Sequence, residues 1–279
     1  MTRDSRLAFI GGGNMGRALV GALRQRGHPP QRIAIGEAHE ATRAALQRDF
    51  PGVQVGAENL AAIDGAALVV LSVKPQEMAT VVAALRPALQ RQRPVVLSIA
   101  AGLRTVDLED WCGPGVPVVR AMPNRPALVG AGATGLFAGP AVPPAARALA
   151  EDLLRAAGMV TWIDDESLMD AVTAVSGSGP AYFFLLAEAL AEAGVAQGLS
   201  PEAARQLAVA TLHGAGAMAA AGDGDLARLR TEVTSRGGTT EAALRALEGA
   251  RFREAVAGAV SAAVRRGSEL AAQFGASRS

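Results

Sequence analysis

The chain has 279 residues, half of them hydrophobic and 19% charged, with a net charge of +1. That length fits about two domains with a sizeable core, and the balanced, scattered charge excludes long disordered tracts and an electrostatically held nucleic-acid partner. A single cysteine, Cys112, excludes an intrachain disulfide and argues against a cysteine-based metal site, in keeping with a reducing compartment.

The first residues carry no apolar h-region or cleavage site of a signal peptide. The apolar runs, such as residues 66–73, fall short of the ~20 needed to cross a bilayer. The expectation is a cytoplasmic protein with no membrane contact. Residues 7–10 read as a strand and 15–26 as a helix. A second strand, 32–35, is followed by a helical stretch over 40–48. Residues 53–55 are short and β-like. A continuous β-type run over 67–73 precedes a helix over 76–89, and residues 94–99 and 116–120 are two more apolar runs bounded by Pro and Gly. Continuous apolar strands alternating with helices predict a parallel sheet covered on both faces.

Beyond Asp164 the alternation stops and Ala, Leu and Glu dominate. Helices are predicted over 166–175, 181–193, 201–221, 240–248 and 251–273, with Ser200-Pro201 as an N-cap and first-turn pair. The fold class is therefore α/β: an N-terminal Rossmann-type parallel sheet domain over 1–164, then an all-helical domain over 165–279. The 181–193 helix is apolar nearly all round, which predicts burial on every side. A helical domain of this size has little interior to hide it, so a second subunit is the expected cover.

The strand 7–10 runs into Gly11-Gly12-Gly13-Asn14-Met15-Gly16 and then a helix. In a dinucleotide fold the first glycine of G-x-G-x-x-G permits a tight turn. The second admits the pyrophosphate to the backbone, and the third lets helix and strand pack closely. The helix N-terminus offers N–H groups to the phosphates. Glu37, past the second strand, is placed to bind a ribose 2′-hydroxyl, whereas Arg43 or His39 would meet a 2′-phosphate; NAD and NADP both stay open. Ser72-Val73-Lys74-Pro75 ends another strand, and Lys74, the sole lysine of the chain, is placed to reach ribose or phosphate. Ser98-Ile99-Ala100-Ala101-Gly102 is a strand end of small residues that would admit a flat ring. In the helical half, glycines break the chain at 176–182 and 234–241. In the second of these, successive N–H groups can form an anion nest for a small carboxylate, while Thr239 or Thr240 as a plain N-cap explains the same residues.

Met15-Gly16, Ser72-Val73-Lys74-Pro75, Ser98 to Gly102, Arg120-Ala121-Met122-Pro123-Asn124-Arg125-Pro126-Ala127, Ser176 to Tyr182 and Ser235 to Thr240 occur in that order. As an ordered set they resemble the pyrroline-5-carboxylate reductase family, which catalyses the last step of proline biosynthesis. The resemblance implies an NAD(P)H-dependent oxidoreductase, with NADP first and NAD possible. It implies a helical domain that interlocks with a second copy into a homodimer, which family members often assemble further into decamers. It implies cofactor contacts at Ile10, Gly11, Gly12, Gly13, Asn14 and Met15, at Asn59, at Ser72, Val73, Lys74 and Pro75, and at Ala100, Ala101 and Gly102. The substrate carboxylate is expected on Ser235, Gly237, Gly238, Thr239 and Thr240, with Thr240 steadying the proton at the ring nitrogen. Two residues depart from the family pattern: Arg236 stands where Pro is usual, and Ser72 where Ala is more common. A β-hydroxyacid reductase on the same architecture would place a lysine on a helix of the second half, and there is no lysine after Lys74. A nucleotide-sensing scaffold that has lost catalysis is the remaining alternative; the intact 235–240 motif weighs against it.

Overall fold

The computed structural model describes residues 5–275 except Asp223. Eight strands, β1 (Leu7–Ile10), β2 (Ile33–Gly36), β3 (Gln54–Gly56), β4 (Leu68–Leu71), β5 (Val95–Ser98), β6 (Val118–Met122), β7 (Gly132–Ala138) and β8 (Gly158–Trp162), form one sheet. Their order is β3-β2-β1-β4-β5-β6-β7-β8. All pairings are parallel except β6 with β7. β1, β2, β4 and β5 are buried along their whole length. That is why they read as unbroken apolar runs instead of alternating ones.

Successive side chains nevertheless serve opposite faces. Leu7, Phe9, Ile33, Ile35, Leu68 and Val70 pack with α1 (Asn14–Gln25), α2 (Glu40–Asp49) and α6 (Pro144–Arg155). Ala8, Ile10, Ala34, Val69 and Leu71 pack with α3 (Asn59–Ile63), α4 (Pro75–Gln92) and α5 (Thr105–Cys112). Pro75 does more than stop a strand: it is the first residue of α4, where its missing N–H costs nothing.

The segment between β6 and residue 162 carries β7, α6 and β8, which local patterning does not predict. Gly132 and Gly135 dilute the β signal of β7, yet both are packing positions. A Cβ on Gly132 would lie 2.8 Å from the Ala157 carbonyl oxygen, and one on Gly135 2.6 Å from Val172 Cγ1. Residues 166–175, expected as one helix, divide into a 3-10 turn (Glu166–Leu168), a single α-turn α7 (Met169–Val172) and a π-helical turn (Thr173–Gly177). The Thr173 and Ser176 hydroxyls donate back to the Met169 and Val172 carbonyls, the competition by which such residues bend helices.

The chain divides into two compact units, one holding the residues up to Ser178 together with those from Ala263 on, the other Gly179–Ala262. The second unit contains α8 (Gly179–Ala196), α9 (Pro201–Ala221), α10 (Leu226–Glu232), α11 (Thr239–Gly249) and the first part of α12 (Phe252–Gly275). Ser200 caps α9 by accepting from Ala203 N at 3.2 Å. On α8, Phe183, Phe184, Leu185 and Leu190 are more than half exposed within this chain. No helix among the described residues is long and apolar enough to cross a membrane.

One buried histidine predicts acid sensitivity for the first unit. His28 is 3% exposed. Burial pushes its pKa below the ordinary 6.5, a backbone hydrogen bond at Ser5 opposes the shift, and the Arg24 charge reinforces it. The folded state therefore holds fewer protons than the unfolded one below that value. This contribution to stability is full above the unfolded pKa and is lost as pH falls through it toward the lowered folded value. The urea midpoint is expected to drop between about pH 7.5 and about pH 5.5, and to drop less in His28→Leu. An unchanged pH slope in that variant would assign the acid sensitivity elsewhere.

Candidate active site

The carboxyl ends of the central strands lie in one row. Gly36 pairs with Ile10, Ile10 with Leu71, Leu71 with Ser98 and Ser98 with Arg120. The order reverses between β1 and β4, which makes this end of the sheet a topological switch point, the place where ligands bind in open α/β sheets. The residues that follow those strand ends are the glycine turn, Glu37, Ser72 to Pro75 and Ala100 to Gly102.

The turn is held from three sides. Gly11 has φ +94° and donates to the Gly36 carbonyl at 2.8 Å. Gly12 donates to Glu37 Oε2 at 2.7 Å. Ser72 Oγ donates to the carbonyls of Ile10 at 2.9 Å and Gly11 at 2.6 Å. The three glycine roles separate clearly. A Cβ on Gly11 would sit 2.8 Å from the Ser72 carbonyl oxygen, one on Gly16 3.0 Å from the Gly11 carbonyl oxygen, and one on Gly13 would meet no atom within 4 Å. Gly13 is thus the open face of the turn. It is also the N-cap of α1 and offers no capping side chain, so the amides of Asn14, Met15 and Gly16 have no partner inside the helix. An open glycine in front of unpaired helix amides is a cradle for a pyrophosphate, and these residues fit a dinucleotide.

Glu37 is 7% exposed, with its second oxygen accepting from His39 N at 2.8 Å. The sequence pattern placed it toward a ribose; in the structure it is also a strut that fixes Gly12. Arg43 Nη1 donates to the carbonyls of Glu37 at 2.9 Å and Ala38 at 2.6 Å. Lys74 is exposed as the N-cap residue of α4. Asn59 opens α3, and a Cβ on Gly36 would lie 2.3 Å from its Oδ1, so a larger residue there would displace the Asn59 side chain. Ala100 is buried, Ala101 half-buried, and Gly102 turns the chain at φ +77°.

Ser235 to Thr240 lie in the second unit. Gly238 N donates to the Ser235 carbonyl at 3.0 Å, and Gly237 has φ +73°. Those features define a type II turn that requires glycine at its third position. Gly238 then caps α11 without a side chain, leaving the first-turn amides of Thr239 and Thr240 without an intrahelical acceptor.

Local patterning missed a charged cluster around Arg120, in the middle of β6. Glu166 accepts from Thr105 N and Thr105 Oγ1, each at 2.7 Å, and from Arg120 Nη1 at 3.0 Å. Arg120 Nη2 lies 4.0 Å from Asp170 Oδ1, and Asp170 Oδ2 accepts from Ser268 Oγ at 2.9 Å. Asn124 is equally committed: its Nδ2 donates to the Ser176 carbonyl at 2.9 Å and its Oδ1 accepts from Ala133 N at 2.8 Å. Among the described residues no group of three or more His, Cys, Asp or Glu side chains is placed to hold a metal ion.

This sheet and glycine cradle are those of a nicotinamide-dinucleotide oxidoreductase, and residues 6–102 match the family model described as NADP oxidoreductase, coenzyme F420-dependent. Residues 166–270 match the model of the pyrroline-5-carboxylate reductase dimerisation domain. A pyrroline-5-carboxylate reductase of Pseudomonas aeruginosa is 47% identical over 97% of this chain and 98% of its own. A solved pyrroline-5-carboxylate reductase of Coxiella burnetii is 41% identical with a TM-score of 0.91, covering 95% of this chain and 98% of that one. The Plasmodium falciparum pyrroline carboxylate reductase, solved with NADP bound, is 28% identical with a TM-score of 0.83 over 97% of this chain and all of that one. The chain belongs to the pyrroline-5-carboxylate reductase family.

Proposed function

We propose that the chain reduces 1-pyrroline-5-carboxylate to L-proline with NADPH, as the closing step of proline biosynthesis. The observation that carries this is the open glycine turn at the β1–β4 switch point, in a chain that also leaves the first amides of α11 without a capping side chain. In this reading residues 1–164 are the dinucleotide-binding domain and 165–279 the helical dimerisation and substrate domain, working as a cytoplasmic homodimer that can assemble to a decamer. The exposed apolar side chains of α8 support the dimer.

When bound, the reduced nicotinamide supplies the hydride for the imine carbon. The rest falls to the chain. Ile10 to Gly16, Asn59, Ser72 to Pro75 and Ala100 to Gly102 hold the cofactor. The amides of Thr239 and Thr240 and the Ser235 hydroxyl hold the substrate carboxylate through charge-assisted hydrogen bonds, while Gly237 and Gly238, whose amides bond Glu241 and the Ser235 carbonyl, shape the turn around it. The Thr240 hydroxyl holds the proton at the ring nitrogen, keeping the imine in its more electrophilic, protonated form. Positioning and fixed dipoles therefore do most of the work. Because Glu37 is turned inward onto the Gly12 and His39 amides, it does not stand as a free anion against a 2′-phosphate. NADPH is the expected reductant and NADH the slower one.

The test is oxidation of NADPH and NADH, side by side, with 1-pyrroline-5-carboxylate. Turnover faster with NADPH is expected, and none with either dinucleotide overturns the reading. Thr240→Ala should lower kcat about 100-fold, the low end of proton-transfer assistance. Unchanged kcat and KM would remove Thr240 from its role.

A further inference from the structure

We propose that Glu241 is a positioning residue for substrate-carboxylate recognition: it holds the Ser235–Gly238 turn rigid so that the Thr239 and Thr240 amides stay aimed outward. The proposal rests on the reading of residues 235–240 given above. Glu241 Oε2 accepts from Gly237 N at 2.7 Å and forms an ion pair with Arg245 Nη2 at 2.9 Å.

In an ordinary capping box the acidic residue of the first helical turn reaches back to the N-cap amide. Here it reaches one residue further, to the glycine at the third position of the turn. Two consequences follow from that register. The carboxylate bonds outside the first helical turn, so it leaves the Thr239 and Thr240 amides to an external anion. It also fixes the one residue whose positive φ lets the chain enter α11 in this direction. Gly237 has no side chain to hold it, and the preceding residue is Arg236, at the turn position where a proline would set φ in advance. The turn thus lacks covalent stiffness. Its rigidity comes from the Glu241 bond, from the Gly238-to-Ser235 bond, and from Arg245, which sits one helical turn on and restrains the glutamate.

Without the strut the turn samples other conformations, and each binding event must then order it again, which appears as weaker binding of the carboxylate. The experiment compares steady-state kinetics of the full-length wild type with Glu241→Ala, Glu241→Gln and the double variant Glu241→Ala/Arg236→Pro. In Glu241→Ala the KM for 1-pyrroline-5-carboxylate should rise about tenfold, equivalent to about 1.4 kcal/mol, with the KM for NADPH unchanged. Glu241→Gln keeps an acceptor for Gly237 N and should recover most of the affinity. The double variant should recover it by a different route, since proline restores stiffness without the carboxylate. A wild-type KM in Glu241→Ala, an equal rise in both KM values, or no rescue by proline overturns the strut. Wild-type protein without turnover on the imine takes down the substrate reading as well, whereas turnover with an insensitive variant takes down only this inference.

Discussion

Replacing Arg120 with methionine is expected to destabilise the protein by about 3 kcal/mol and to lower its melting temperature by roughly 6–12 °C. Arg120 is 5% exposed and its guanidinium faces two carboxylates, Glu166 at 3.0 Å and Asp170 at 4.0 Å. Methionine matches its bulk but leaves both acids uncompensated. The estimate sits at the low end for a broken buried pair because each carboxylate side chain retains 20% exposure. Adding Glu166→Gln to the variant removes one orphaned charge and should restore part of the loss. Thermal unfolding of the single and double variants measures both effects. A single variant as stable as wild type would mean that the cluster is solvated and carries no net stabilisation.

The second large effect concerns the cofactor, and it separates two glycines that look alike in the motif. Gly11→Ala places a Cβ 2.8 Å from the Ser72 carbonyl oxygen and forces an alanine to φ +94°. Something in the backbone must shift, so both stability and NADPH affinity should fall, the strain alone costing about 1 kcal/mol or more. Gly13→Ala meets no atom within 4 Å in the protein itself. Its melting temperature should stay near that of wild type, while its new methyl group occupies the approach to the helix amides. The dissociation constant for NADPH, followed by fluorescence titration, should rise at least tenfold in both variants. Wild-type affinity in Gly13→Ala would mean that the pyrophosphate lies elsewhere.

Much of the fold was legible because its core is a parallel sheet buried on both faces. Leu7–Ile10 is a continuous apolar run with a glycine turn directly behind it, and Leu68–Leu71 is another with Pro75 four positions on. The candidate cofactor residues were chosen on the same pattern, since in such a sheet ligands collect at the strand ends. What stayed hidden was held together over distance. β7 contains glycines that local propensity counts against a strand, although Ala157 and Val172 are what require them. The π-helical turn at Thr173–Gly177 is anchored by Asn124, 52 positions away. Glu166 meets Thr105 across 61 positions and Arg120 across 46, so no window of sequence contains the cluster. Glu37 was visible as an acid past the second strand, but its contact with Gly12, 25 positions away, appears only once β1 and β2 are paired.

The exposed lysine at the head of α4 has a practical meaning as well. Every other cationic side chain that is not histidine is arginine, so Lys74 is the sole side-chain amine on the molecule. Acylating or reductively alkylating reagents, which elsewhere decorate a protein at random, are confined here to this one side chain and the chain's own amino terminus. On the proposed reading Lys74 stands beside the bound dinucleotide, so protection of its amine from such a reagent by added NADPH would measure occupancy without any engineered cysteine.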